Sequence, residues 1–186
     1  MTRRALASAL LIGGLAWAHP EGFHARSAFT VEKTSLTGLL VLDVDGGARC
    51  ELIRAGADAN HDGVLGKDER QALEKKLASF ITRPLKLFLS SYPVPLTIKE
   101  TKLNLHKDER VSRAGLSVAL LLEVKHPYEV SPGMHFEFET VTPDASPVKV
   151  EVFQATAPGE PAEPEFREEV ESGKRVRVRL GKLYDR

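Results

Sequence analysis

The chain has 186 residues, and 42% of them are hydrophobic, which argues against a wholly disordered protein. This length suits one domain of ordinary size. The 26 lysine and arginine residues balance the 26 aspartate and glutamate residues, so the charge gives no reason to expect a nucleic acid as a partner.

Residues 1–18 have the pattern of a signal peptide. A basic start precedes an uncharged, mostly apolar run from Ala5 to Trp17, and Ala16-Trp17-Ala18 fits the small-x-small pattern of a cleavage site. We expect cleavage before His19 and export to the periplasm or the extracellular space. The apolar run is too short for a membrane anchor, and no later segment approaches the roughly 20 apolar residues of a spanning helix.

Alternating apolar and polar residues predict two strands in the segment that follows. The first contains Phe29 and Val31, and the second runs from Leu39 to Val44. The second strand is apolar on both faces, and Gly46-Gly47 should end it.

Two helices are predicted next, separated by a short segment. The first runs from Ala48 to Ala57 and carries Cys50, the only cysteine, which should be buried rather than act as a reactive thiol. Its apolar side consists of Leu52, Ile53 and Ala57. The second runs from Asp68 to Arg83, before a proline, and has apolar residues at spacings of three and four. These are Leu73, Leu77, Phe80 and Ile81.

The segment from Asp58 to Glu69 matches the EF-hand calcium-binding loop. Calcium is a hard cation that takes about seven oxygen ligands, and a turn of this length can wrap around it if alternate residues point inward. The predicted ligands are the side chains of Asp58, Asn60 and Asp62, the main-chain carbonyl of Val64 and both carboxylate oxygens of Glu69. A water molecule should take the place of a side chain at Gly66, while Gly63 permits the sharp bend.

Further expectations concern this loop. Leu65 should point into a core, and His61 should face solvent rather than bind the metal. EF-hands usually occur in pairs, but the sequence contains no second loop, because Asp43-Val44-Asp45-Gly46 begins like one and lacks the rest. The alternative interpretation is a chance match, or a loop that has lost its metal.

The rest of the chain reads as short strands separated by turns that contain proline and glycine. This pattern predicts a mainly β fold with an α insertion, an antiparallel β-sandwich in a single domain of residues 19–186. The helical pair, at about residues 48–83, is the insertion between the second and third strands. Predicted strands lie at Leu85 to Leu89, Leu96 to Leu105 with a bulge, Leu116 to Val124, Met134 to Phe138, Val148 to Val152 and Val176 to Leu180. Residues 156–173, rich in proline, glutamate and alanine, are predicted to form a long mobile loop.

Three arginines, Arg175, Arg177 and Arg179, share one face of the last predicted strand. They form either a basic binding stripe or a solvated face whose charges are paired. Glutamates on neighbouring strands would supply the pairing, because opposite charges stabilise adjacent strands. The candidates are Glu137, Glu139 and Glu151.

The mature chain loosely resembles exported bacterial domains that precede the membrane part of nickel/cobalt-permease-like and hydrogenase/urease-accessory-like proteins. The resemblance rests on His19-Pro20, on Asp58 to Glu69 and on Leu85-Lys-Leu-Phe-Leu89, and only the loop is specific. It implies the architecture described above and an association with metal handling. It implies no transport, because the membrane part is not matched.

We therefore predict a calcium-binding module rather than an enzyme, acting in binding or in envelope metal handling, with an envelope protein as a further partner. The sequence has no nucleophile elbow, no His-Glu-x-x-His, no phosphate-binding glycine loop and no Cys-x-x-Cys. Two alternatives stay open. One is a copper or nickel chaperone or sensor that chelates through the processed amino terminus at His19, with His24, His106, His126 and His135 as further candidates. The other is an enzyme of unrecognised type.

The sequence also favours a structural role for calcium over a switching role. Switching EF-hands expose an apolar groove that is often rich in methionine, whereas this chain has two methionines, one of them the initiator. No partner hand is available to cover the apolar face of the second helix, so we expect Leu73, Leu77, Phe80 and Ile81 to pack permanently against the sandwich.

Overall fold

A computed structural model describes residues 22–126, 129–142, 146–155 and 164–183. Within these ranges the chain forms two sheets and two helices. The elements are β1 (Phe23–Val31), β2 (Ser35–Val44), α1 (Ala48–Ala55), α2 (Lys67–Thr82), β3 (Lys86–Leu89), β4 (Tyr92–Pro93), β5 (Ile98–Asn104), β6 (Leu116–Lys125), β7 (His135–Glu139), β8 (Val148–Gln154), β9 (Pro164–Val170) and β10 (Val176–Arg179). The prediction of a mainly β fold with two inserted helices is confirmed. The predicted signal peptide and His19 lie outside the described residues.

The larger sheet has the strand order β5-β6-β2-β1-β8-β9. Its neighbours pair antiparallel except for β1 and β8, which run parallel with Ala25 opposite Val148. The expectation of a purely antiparallel architecture is therefore wrong. The predicted bulge in β5 is confirmed as a register shift between Ile98 and Glu100.

The smaller sheet has the order β10-β7-β3-β4 and is antiparallel throughout. Although proline is typical of turns, Tyr92-Pro93 forms β4 and pairs with the end of β3. The turn lies between β3 and β4, at Ser90 and Ser91, whose positive φ angles of 47° and 72° suit a tight hairpin.

The core lies between the two sheets, and the alternate residues of β2, β6 and β8 point into it. Phe29 of β1 is fully buried, and its ring centroid lies 5.2 Å from that of Phe136 and 5.5 Å from that of Phe138, both on β7. Such tilted aromatic pairs add to the free energy of burial. The same buried cluster includes Leu65 and Leu73, so the helical insertion shares the core of the sheets.

The prediction that residues 156–173 form a mobile loop is wrong for β9, while residues 156–163 lie outside the described residues. Strand β9 pairs antiparallel with β8 along the edge of the larger sheet. Only Val170 on this strand is buried, and Arg167 forms an ion pair with Glu151 on β8 at 2.7 Å. Charged side chains are typical of edge strands, which explains why the sequence pattern did not predict this one.

The two helices end close to their predicted limits, but α1 presents a different face to the core. Leu52, predicted to lie on the apolar side, is 73% exposed, whereas Ile53 and Ala57 are partly buried against the core. The buried residues of α1 are Cys50 and Arg54, one helical turn apart. The burial expected for Cys50 is confirmed, with its thiol donating to the carbonyl of Asp45 at 3.2 Å.

No helix in the described ranges is long and apolar enough to cross a membrane.

The position of Phe29 predicts a large loss of stability on truncation. Phe29→Ala should lower the free energy of unfolding by about 3–5 kcal/mol, because it removes a ring that bridges the two sheets. Urea denaturation of both variants measures this. The matched control is Leu39→Ala on β2, where a side chain that is 46% exposed should cost about 0.5 kcal/mol or less. Equal losses for the two substitutions would contradict this core.

Candidate metal centre

The 58–69 segment connects α1 to α2 and ends inside the first turn of α2. Asp58 is only 6% exposed, Asn60 and Asp62 lie on the surface, and Glu69 is half-buried. Val64 is 42% exposed, and the next residue, Leu65, is fully buried, as predicted. Asp58 and Leu65 thus fix the segment to the interior, while most of the residues between and after them are exposed.

Side-chain oxygens fold the segment back on its own main chain. One carboxylate oxygen of Asp58, Oδ2, accepts a hydrogen bond from the amide of Gly63 at 2.9 Å. Asn60 Oδ1 accepts from the amide of Asp62 at 3.1 Å, and Asp62 Oδ1 accepts from the amide of Val64 at 2.8 Å. These local bonds are those by which Asp and Asn favour turns over helix or strand.

Glu69 joins the end of the segment to its beginning. Its Oε1 accepts hydrogen bonds from the amides of Ala59 at 2.8 Å and Asn60 at 3.3 Å, while Oε2 accepts from Gly66 at 2.8 Å. The bond to Gly66 also caps the amino end of α2. One carboxylate therefore closes the turn and starts the helix.

The main chain bends sharply at two positions. Gly63 has φ = 81°, a left-handed conformation that glycine adopts without strain, and a Cβ there would meet no heavy atom within 4 Å. His61 also has a positive φ, 59°, and its side chain is exposed. The structure therefore places His61 on the surface, as the sequence predicts.

The polar atoms of the 58–69 segment show whether its oxygens suit a calcium ion. Asp58 Oδ1 is buried and has no hydrogen-bond partner. A buried carboxylate oxygen without a partner is costly, and a cation is one way to satisfy it. Among the ion pairs of the described residues, none involves Asp58, Asp62 or Glu69. The chemistry of the oxygens fits a hard cation.

The arrangement of the carboxylates does not by itself form a cage. In the part of the chain that the structure describes, no three side chains of His, Cys, Asp or Glu are grouped so as to hold a metal ion. The carboxylates of Asp62 and Glu69 instead accept main-chain amides on the oxygens described above. The residues predicted as ligands are thus brought into one turn, but most of their oxygens are engaged with the protein.

A second segment, which the sequence analysis missed, completes this region. It is the β5–β6 loop, residues 105–115, and it pairs with the 58–69 segment as a short antiparallel bridge between Val64 and Arg110. The amide of Leu65 donates to the carbonyl of Glu109 at 2.7 Å, and the amide of Val111 donates to the carbonyl of Gly63 at 2.8 Å. The main chain of the 58–69 segment is thus held by hydrogen bonds to a loop from elsewhere in the chain.

Arg54 fastens the β5–β6 loop to α1. Its side chain is fully buried, and its two terminal nitrogens donate to five main-chain carbonyls. These carbonyls belong to Leu105, Asp108, Arg110, Ala114 and Gly115. A planar guanidinium with several fixed donors suits such a set better than an ammonium group would.

Asp108 shapes the same loop from within. Its carboxylate accepts a hydrogen bond from the hydroxyl of Ser112 at 2.6 Å and from the amide of Arg110 at 3.1 Å. These bonds, first that from Ser112, lower the pKa of Asp108 from 3.8 to about 2. The only sequence signal for this loop is the group of Asp, Ser and Gly residues between two predicted strands. Such a group indicates a turn but does not identify the 58–69 segment as the partner of that turn.

Within the described residues, the other candidates form no second metal-binding group. Arg175 and Arg177 make ion pairs with Glu137, and Arg175 also with Glu139, so the paired interpretation of the arginine face is confirmed for these two residues. His24 contacts Asp45 at 2.8 Å. The predicted histidine partners His106, His126 and His135 do not form a metal-binding group within the described ranges.

The lowered pKa of Asp108 predicts an acid-dependent loss of stability. The unfolded chain takes up the proton at a higher pH than the folded one, so this contribution is fully present above pH 4 or so and is lost as the pH falls through about 2. The gap in unfolding free energy between wild type and Asp108→Asn should therefore close over this interval in urea titrations. Ser112→Ala should raise the pKa of Asp108 in an NMR titration. A gap that does not change with pH would contradict the assignment.

Comparison with models of known protein families finds no match, and no curated protein sequence matches the chain. The interpretation of this centre therefore depends on its own residues.

Proposed function

We propose that the protein is an exported calcium-binding module in which calcium has a structural role. The observation that supports this most directly is the buried Asp58 Oδ1 without a partner, at the first position of a segment that has an oxygen ligand at each position of the EF-hand pattern except Gly66. The module would act in binding or in envelope metal handling rather than as an enzyme.

The chemistry of the segment suits calcium better than a transition metal. The side chains of Asp58, Asn60 and Asp62, the carbonyl of Val64 and the carboxylate of Glu69 offer oxygen only, which hard cations prefer. A water molecule would serve at Gly66. Without calcium, these carboxylates have only amide donors. Calcium bound there would supply positive charge to them, and some of the hydrogen bonds would be exchanged for metal contacts.

A stabilising role is supported by the packing of α2. Leu73 and Leu77 are buried in the core that the sheets form, and Ile81 is partly buried against it. Phe80 departs from expectation because it is 46% exposed, although its ring centroid lies 6.3 Å from that of Phe23. A helix whose apolar residues already lie in the main core has little freedom to open as a switching hand does.

We also propose that residues 1–18 are removed on export, which leaves a single domain of residues 19–186 with the EF-hand as its insertion. The support is the sequence pattern of the first residues. Mass spectrometry of the protein purified from its natural envelope fraction should give an amino terminus at His19. Recovery of an intact Met1 terminus from the cytoplasm would disprove this proposal.

Calcium should raise the thermal stability of the purified protein. Binding to the folded state alone adds about 2.7 kcal/mol at a hundredfold excess of calcium over its dissociation constant. Asp58→Ala and Glu69→Gln should each abolish most of this gain, because they remove predicted ligands. Thermal unfolding with calcium and with a chelator measures the effect.

The matched control for this experiment is His61→Ala, which changes the exposed residue of the same turn and should keep the full gain. Copper and nickel, added to protein with a verified His19 terminus, test the chaperone alternative in the same assay. An unchanged melting temperature with calcium would end the calcium proposal. A sharp rise in the binding of a dye for apolar surface by the folded protein would favour a calcium switch instead.

A further inference from the structure

We propose that the β5–β6 loop, residues 105–115, is the second half of the calcium centre and that Arg54 is the positioning residue that couples the two halves. This inference rests on the proposed function, since it concerns the affinity of the same site. The occupant remains a calcium ion, and the loop contributes main-chain support rather than a ligand.

The contact between the β5–β6 loop and the 58–69 segment lies at a predicted calcium ligand. The loop pairs with the 58–69 segment at Gly63, Val64 and Leu65, which lie between the predicted side-chain ligands at Asp62 and Glu69. The carbonyl of Val64 is itself a predicted ligand. The two flanking hydrogen bonds, to Glu109 and from Val111, therefore fix the main chain on both sides of that carbonyl.

Arg54 lies between the 58–69 segment and the β5–β6 loop and forms hydrogen bonds with both. Its own carbonyl accepts a hydrogen bond from the amide of Asp58 at 3.0 Å, while its guanidinium holds the β5–β6 loop. Asp58 carries the unpartnered Oδ1. Arg54 thus contacts the main chain of Asp58, the first predicted ligand. It also holds the β5–β6 loop, which supports the later predicted ligand Val64.

The loop is also anchored to other elements, so its position does not depend on the 58–69 segment alone. A Cβ on Gly46 would come within 2.9 Å of the carbonyl of Arg113, and a Cβ on Gly115 within 3.1 Å of the carbonyl of Val44. Arg70 of α2 forms an ion pair with Glu109. A support fixed to β2 and α2 can reduce the freedom that metal binding would otherwise have to remove.

The test measures calcium affinity and amide exchange on folded protein. Arg54→Met should weaken calcium binding at least about tenfold in calorimetric titrations, a size typical of coupling between sites. In the wild type, calcium should slow hydrogen exchange at Val111, a residue that supplies no ligand. In Arg54→Met this calcium-dependent protection should be lost even at saturating calcium, which a merely stabilising arginine would not cause.

The matched control is Arg113→Met. Arg113 joins the same loop to α1 through Glu51 at 2.9 Å, but its side chain is 73% exposed. This variant should keep the wild-type affinity within about twofold, as expected for a surface ion pair. If Arg54→Met does not fold, Asp108→Ala replaces it, because Asp108 organises the same loop, and it should likewise weaken binding and the protection of Val111.

Three outcomes are distinguishable. Weakened binding in Arg54→Met or Asp108→Ala, with Arg113→Met unaffected, supports the coupling. Wild-type affinity and protection in both variants overturns it while the proposed function stands. A wild-type protein that does not bind calcium removes the proposed function, and with it this inference.

Discussion

The buried guanidinium of Arg54 is the interaction on which the helical region depends. Burying a charge is costly unless hydrogen bonds satisfy it, and the five bonds from its terminal nitrogens all end on main-chain carbonyls of one loop. Without this side chain, α1 would lose its buried link to the β5–β6 loop and keep only the exposed ion pair of Glu51 with Arg113, and five carbonyls would lose a donor. A buried carbonyl left without a donor costs about 1–3 kcal/mol, which is a large part of the stability of an ordinary domain.

This arrangement explains how the 58–69 segment is held in shape. Its main chain is fixed by hydrogen bonds between residues 63–65 and 109–111. Main-chain bonds place few demands on side-chain identity, so the sequence of the supporting loop gives little sign of this contact. The cost is a long connection between β5 and β6, which the bonds to Arg54 and Asp108 keep ordered.

The sequence predicted well where a residue acts through its immediate neighbours. The alternation of β6, the bulge in β5 and the end of α2 before Pro84 all follow from local pattern, and so does the turn chemistry of residues 58–63. Contacts between distant segments were not predictable in this way. The burial of Arg54 depends on carbonyls more than fifty residues away, at Leu105 to Gly115. The charged strand β9 is extended because its main chain pairs with the edge of β8. The parallel pairing of β1 with β8 likewise has no local sequence pattern that would predict it.

That parallel pairing sets the order in which the sheet can be completed. Strand β1 lies inside the larger sheet, between β2, which follows it at once, and β8, which comes near the end of the chain. The hairpin of β1 and β2 can form early, but the other edge of β1 stays unpaired until Val148 to Gln154 are available. Unpaired edges recruit other extended chains, and non-local pairing is slow. During synthesis, aggregation through the open edge of β1 is therefore a hazard until β8 has been made and has paired with it.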